Sequence, residues 1–362
     1  MAIWVRLVVD RFSERPITKW NCGAHGVRRR RVAWNACLRR RESAMKSPAD
    51  SANPSAETLR GIAILVAATA VFPLLDAGGK ILINSYGVSA GEVALLRLLQ
   101  QSLWMIPFMA MRGGAGMFRV SQPGLNLFRG ALLGGAGILF FAALGFMPLA
   151  DAVAVFMIAP MLQVLLAVPI LRETIGWRRV LAIMIGFCGA LIIIRPSYAV
   201  FGPLSLLPLA TAFLVSLYII LSRFASRGDE PLAMMLYAGI GGSVTVAAIM
   251  IAALPLDVEI LAWSWPEETA ALWLILGIGA VGTIAHLLIV EAYSRAPAAA
   301  LAPFSYAELV FAIFAGYVFF GDWPDGLKWI GMAVVVGAGL VVYLLERRSA
   351  KRFARMVVAR TQ

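Results

Sequence analysis

Residues 169–194 read PILRETIGWRRVLAIMIGFCGALIII, and residues 317–343 read YVFFGDWPDGLKWIGMAVVVGAGLVVY. Set at an offset of 149 residues, Glu173 falls opposite Asp322, Ala182 opposite Gly331, and Gly189 opposite Ala338. Small residues seven apart share one face of a helix and let a neighbouring helix come close. These stretches hold the fourth to fifth and the ninth to tenth of ten apolar segments, so the chain reads as a duplicated five-span unit. Five is odd, and the two copies must therefore cross a bilayer in opposite senses. Inverted repeats of this kind recur in secondary transporters, whose sites lie between the repeats near the membrane midplane.

The whole composition supports spanning helices. Of 362 residues, 60% are hydrophobic and 14% charged, and the mean hydropathy is +0.82; a soluble domain carries about 25% charged residues. The apolar runs fall at 60–84, 90–111, 128–147, 151–171, 179–195, 203–223, 231–254, 269–292, 298–320 and 327–345. Each is about 20 residues long, the length an α-helix needs to cross the hydrocarbon core. None shows the alternating pattern of a barrel strand, so a ten-helix, all-α membrane protein is predicted. The connections are short and carry Pro148, Pro196, Pro203, Pro231, Pro297 and Pro324.

Basic residues orient the spans. With the N-terminus in the cytoplasm, the inner loops hold Arg112, Arg119, Arg172, Arg178, Arg223, Arg227 and Arg295. The C-terminal tail, 347–362, adds Arg347, Arg348, Lys351, Arg352 and Arg355. The outer loops hold only Arg195 and Lys328, and one carries Asp257, Glu259, Glu267 and Glu268. Both termini are expected inside. Much of the net charge of +12 comes from residues 1–44, which hold eleven Lys/Arg against three Asp/Glu. Residues 1–57 read as a disordered basic extension ahead of the repeats at 58–200 and 201–346. Three explanations stand for it: translated upstream sequence before a start at Met45, an arm for anionic lipid, or an Arg-rich organelle address. It has no long apolar run and is not a secretory signal.

Three cysteines (Cys22, Cys37, Cys188) and two histidines (His25, His286) make neither a disulfide framework nor a metal site. Cys188 reads as a packing residue inside a helix. No cofactor or nucleic-acid partner is expected.

The stretches MPLADAVAVFMIAPMLQVLLAVPILRETIGWRRVLAIMIGFCGALIIIRP and EAYSRAPAAALAPFSYAELVFAIFAGYVFFGDWPDGLKWIGMAVVVGAGLVVYLLERR each contain a helix, an acidic residue and a Gly/Ala-rich helix. In this the chain resembles the EamA family of the drug/metabolite transporter superfamily over about residues 58–346. The second copy has Asp322 where Glu is commoner. LLDAGGKILI in the first span and Arg97 in the second also fit the family. The resemblance implies an inner-membrane carrier of small metabolites, often an exporter, working as a monomer or a homodimer. It does not imply a substrate.

Ionisable groups at membrane depth are costly and are candidates for function. Asp76 and Lys80, at i and i+4 on the first span, can pair with each other. Arg97, followed by Gln100 and Gln101, can grip a substrate carboxylate or phosphate or act as a structural counter-ion to a group such as Asp76. Glu92, near the outer end of the same span, reads as an interfacial charge. Glu308 lies midway along the ninth span with no basic residue nearby in sequence, and desolvation there opposes its charged form. It can exchange a proton, meet a cationic substrate, or bond to Tyr306 or a backbone carbonyl. His286 on the eighth span is equally a packing residue or part of a proton relay. Pro160 and Pro303 break the fourth and ninth spans, and the backbone groups they free can line a cavity. Gln163, Tyr218, Tyr237, Phe304, Ser305 and Tyr306 are further polar and aromatic candidates. Trp177, Trp263, Trp265 and Trp323 suit an interfacial belt.

Three function classes follow. A carrier working by alternating access, exporting or exchanging metabolites with Glu308 as the proton site, is the leading one. An intramembrane enzyme lacks HExxH and GxSxG motifs and a nucleophile with its base. A scaffold would need a soluble surface that the short loops do not offer.

Overall fold

Helices begin and stop here where the sequence supplies a proline or removes the apolar run. In the computed structural model, which describes residues 56–113, 117–171, 176–226 and 229–361, Pro123 and Pro231 open helices at their first position, where a missing N–H costs nothing. Ten helices among the described residues are long and apolar enough to cross a membrane. They are Ala56–Tyr86, Ala90–Met111, Pro123–Phe146, Leu149–Ile170, Trp177–Arg195, Gly202–Ala225, Pro231–Leu256, Thr269–Arg295, Ala302–Phe320 and Gly326–Leu345. We call them spans one to ten. Glu173, Cys22, Cys37, His25 and the basic extension up to residue 55 lie outside the described residues.

Half or more of most spans is not buried by other helices, which is what lipid contact requires. Span five shows this plainly: Leu181, Met184, Ile185, Cys188 and Leu191 recur at helical spacing and are all exposed. Cys188 thus faces outward, not into helix packing as expected, because it falls on this stripe. The opposite stripe of the same helix is small. A Cβ on Gly189 would lie 3.0 Å from the Gly331 carbonyl oxygen, and one on Gly331 would lie 2.9 Å from that of Gly189. Spans five and ten therefore cross backbone to backbone, through the small faces that the repeat alignment singled out.

A second close crossing joins span three to span seven. A Cβ on Gly130 would come within 2.8 Å of the Gly242 nitrogen and 2.9 Å of the Gly241 Cα, which cannot swing aside as a side chain can. Gly130→Ala is expected to cost about 1–3 kcal/mol by forcing these backbones apart. A fall of several degrees in the melting temperature of detergent-solubilised protein would show it; an unchanged melting point would mean the crossing is loose.

Spans four and nine are broken. Span four is helical over Leu149–Phe156 and Ala159–Leu171, with the break at Met157–Ile158 just ahead of Pro160. The Ser216 hydroxyl of span six lies 2.9 Å from the Ala159 carbonyl oxygen there. Span nine passes from a short helix, Ala298–Leu301, through a 3-10 segment, Ala302–Tyr306, that contains Pro303, into Ala307–Phe320. At the repeat offset Met157 falls opposite Tyr306, so the two interruptions are counterparts. Most of the buried apolar core surrounds them, and Leu149 to Val155 are buried without exception.

Candidate functional site

Four ionisable side chains from both repeats converge at membrane depth. Asp76 (span one) and Arg97 (span two) come from the first repeat, His286 (span eight) and Glu308 (span nine) from the second. Asp76 is only 6% exposed and Arg97 8%. The Asp76 carboxyl feels both the Arg97 guanidinium and the Glu308 carboxyl, and Arg97 in turn acts on His286. Glu308 and His286 keep partial solvent access although protein surrounds them. Neither is sealed within solid packing.

Arg97 is held by shape. Its Cζ lies 5.8 Å from the centre of the Phe141 ring. Gly137 and Gly282 flank it so closely that a Cβ on either would lie 3.8 Å from its Nη2 or its Cγ. Its Nε has no hydrogen-bond partner among the described residues, and no carboxylate there approaches it within ion-pair distance. The sequence reading supplied Asp76 as its partner; the two interact only at longer range. The His286 Nδ1 lies 2.8 Å from the Gly282 carbonyl oxygen. A carbonyl only accepts, so Nδ1 carries the hydrogen and Nε2 is left to other partners. The imidazole meets Phe72 edge-on at 5.2 Å.

Several candidates lie elsewhere. Lys80 does not pair with Asp76. Its ammonium donates to the Met147 carbonyl oxygen at 3.0 Å and pairs with Asp322 at 3.3 Å. A residue four positions on, on the same helix, lost to a carboxylate 242 positions away, because the end of span nine folds over it. Tyr306 is turned from Glu308 toward span ten, where its hydroxyl faces Gly339 and lacks a partner. Tyr218 stacks under Arg129, with 4.8 Å from Cζ to the ring centre. Gln163 and Pro303 are half-buried, and Pro160 is exposed. Glu92 is no interfacial charge: it is fully buried and accepts hydrogen bonds from the Ser264 nitrogen (3.0 Å) and hydroxyl (3.2 Å).

Sequence reasoning missed two polar groupings. Asp151, 1% exposed, meets Lys328 at 2.7 Å across the repeats. Arg129, 2% exposed, donates to Ser222 at 2.9 Å and to Asn126, whose amide donates to Asp229 at 2.7 Å. Both Asp151 and Arg129 sit at the first residues of apolar runs, where a charge passes for a boundary; only their burial marks them.

Asp229 lies in the loop between spans six and seven and also accepts from the Ser121 nitrogen and hydroxyl. Burial alone would raise its pKa, but these bonds to Ser121 and Asn126 outweigh it and hold the carboxyl below its ordinary value of 3.8. A depressed pKa means stability that is fully present above 3.8 and lost as pH falls through the lower folded value. Native protein is expected to lose more melting temperature than Asp229→Asn between pH 5 and about pH 3. Equal losses would mean that the loop carboxylate contributes nothing.

The comparisons with known proteins agree with this architecture. The EamA-like transporter family matches residues 59–195 and again 203–344. The chain is 27% identical over 296 residues to the riboflavin transporter of Vibrio cholerae, covering 81% of this chain and 96% of that protein. It is 29% identical to the S-adenosylmethionine uptake transporter of Rickettsia prowazekii, over 71% of this chain and 84% of the relative. A crystal structure at 22% identity superposes with a TM-score of 0.55, over 82% of this chain and all of that one, and shares the fold. Matched over both of its inverted halves, the chain belongs to the EamA-like transporter family, and is a membrane transporter, not an enzyme.

Proposed function

We propose that this protein is a secondary active carrier of small organic metabolites in the inner membrane, with both termini cytoplasmic, and that Asp76, Arg97, His286 and Glu308 form its substrate and proton site. The observation that carries the reading is the convergence of these four groups from both inverted repeats at membrane depth, where each acts on another of the four. In alternating access, a site between the repeats is exposed first to one side and then to the other.

Charge arithmetic indicates what can cross. Asp76 and Arg97 balance one another, so with Glu308 protonated and His286 neutral the site has no net charge. That is the least costly form to seal in a low-dielectric interior. A proton bound at Glu308 together with substrate makes the carrier a symporter, which suits uptake. The relatives support that direction, since one is named for uptake of S-adenosylmethionine. Riboflavin and S-adenosylmethionine, carried by the relatives, both contain planar heterocycles, and a metabolite with such a ring and a polar group for Arg97 is the substrate class we favour. Exchange or export, the direction the family resemblance implied, is the second reading. It is supported by Glu308 itself, since one carboxylate can hold either a proton or a substrate cation, but not both.

Proteoliposomes with a pH-sensitive dye inside test this. Adding riboflavin or S-adenosylmethionine outside is expected to acidify the lumen of vesicles carrying the protein. Alkalinisation would establish exchange instead, and substrate movement with no proton flux would remove the proton from the mechanism.

A further inference from the structure

Two ion pairs at one face of the bundle join the repeats, and neither belongs to the central cluster. Lys80, near the end of span one, is pinned by the Met147 carbonyl oxygen and by Asp322, and its ammonium lies 4.6 Å from the centre of the Phe320 ring. Asp151, at the start of span four, meets Lys328 at the start of span ten. Lys80, Met147 and Asp151 come from the first repeat; Phe320, Asp322 and Lys328 come from the second. The turn that delivers Asp322 is built for it. Gly321 ends span nine at φ +70, and the Asp322 nitrogen then donates back to the Gly316 carbonyl oxygen at 3.1 Å.

Span four packs tightly beside the ion pairs and more loosely beyond its break. Leu149 to Val155, the half of span four next to the ion pairs, is wholly buried, whereas Pro160 is exposed and Gln163, Val164 and Ile170 are only half-buried.

We propose that Lys80–Asp322, capped by Phe320 and backed by Asp151–Lys328, is the gate that closes the site at this face, and that the structure is the state with this gate shut and the other side open. The ion pairs hold repeat to repeat only while the halves of spans four and nine nearest them are together, so opening requires both to part. The basic-residue pattern of the loops makes this the external gate. Each pair offsets a charge that would otherwise be stranded in a buried wall, so removing one partner favours the parted state. Asp322 is one-third exposed, which moderates the effect.

The test reads accessibility and needs no substrate, so its outcome is independent of the proton coupling proposed above. With Cys22, Cys37 and Cys188 replaced by Ser, Glu308→Cys places a single thiol in the central cluster. In membrane vesicles of both orientations, a membrane-impermeant maleimide is expected to label it from the side opposite the gate and hardly from the gate side. Lys80→Gln or Asp322→Asn should raise gate-side labelling by about five- to tenfold. Labelling retained from the other side shows that the fold is intact. The double exchange Lys80→Asp with Asp322→Lys, which keeps both charges, should bring gate-side labelling back toward the native level. Gate-side labelling that stays at the native level in both single variants overturns the proposal. So does a double exchange that labels from both sides alike, which also decides the matter if a single variant fails to insert.

Discussion

Glu308→Gln is expected to move substrate downhill but never to accumulate it. Glutamine keeps the shape and hydrogen-bonding reach of a protonated glutamate but cannot release a proton. If the carboxyl at position 308 is the proton site, the variant is locked in the form that crosses the membrane with substrate, and the link to the proton gradient is cut. A gradient of one pH unit stores about 1.4 kcal/mol and drives at most about tenfold accumulation through a one-proton carrier. Native protein in proteoliposomes should approach that ratio, and Glu308→Gln should stay near one. Substrate exchange across the vesicle should survive within about tenfold, since the conformational cycle itself does not require ionisation at this residue. The idea fails if the variant still concentrates substrate against its gradient. It would fail differently if exchange were lost together with accumulation, which would make Glu308 a substrate ligand only.

Arg97 carries the second large effect. A guanidinium that is 8% exposed, with Nε lacking a hydrogen-bond partner among the described residues, is ready to receive an anionic or carbonyl group from a ligand. Losing a hydrogen bond to a charged group costs about 1.5–3 kcal/mol, which is about ten- to a hundredfold in affinity. Arg97→Gln should raise the half-saturation concentration by that factor. Arg97→Lys should rescue little, because an ammonium lacks the planar fork and its several donors. Stability separates this role from that of a structural counter-ion. The relief of desolvating Arg97 is set against the loss of its long-range balance with Asp76, so the Gln variant is expected to melt close to the native temperature. A melting point several degrees lower with unchanged half-saturation would assign Arg97 to the scaffold and leave the site to Asp76 and Glu308.

The two effects depend on different atoms but share one cause. Lipid cannot satisfy a charge, so every ionisable group on these spans must find its partner in the protein, in water or in a ligand. Lys80, Asp151, Arg129 and Glu92 have found theirs within the protein, at 3.3, 2.7, 2.9 and 3.0 Å. Arg97 and Glu308 have no such partner among the described residues, which is why we propose them for the site.

Ten spans, their duplication and the opposite sense of the two halves are legible from the residues alone. Those features depend on run length, apolarity and an odd count, and the bilayer reads them locally. Gly189 and Gly331 were legible for the same reason, since only small residues permit a backbone-to-backbone crossing. Glu308 and Arg97 stood out because a charge deep within an apolar run has no cheap explanation. Which charge meets which depends on how the helices pack. Lys80 was read with Asp76 because helical spacing places them one turn apart. Span nine, turning on Gly321, brings Asp322 over Lys80 instead, and a partner 242 residues away leaves no mark in local spacing. Asp151 and Arg129 hid at the ends of their apolar runs, where a charge is unremarkable until a neighbouring helix buries it. Periodicity reports the medium around each helix; the pairing of charges depends on how the helices are assembled against one another.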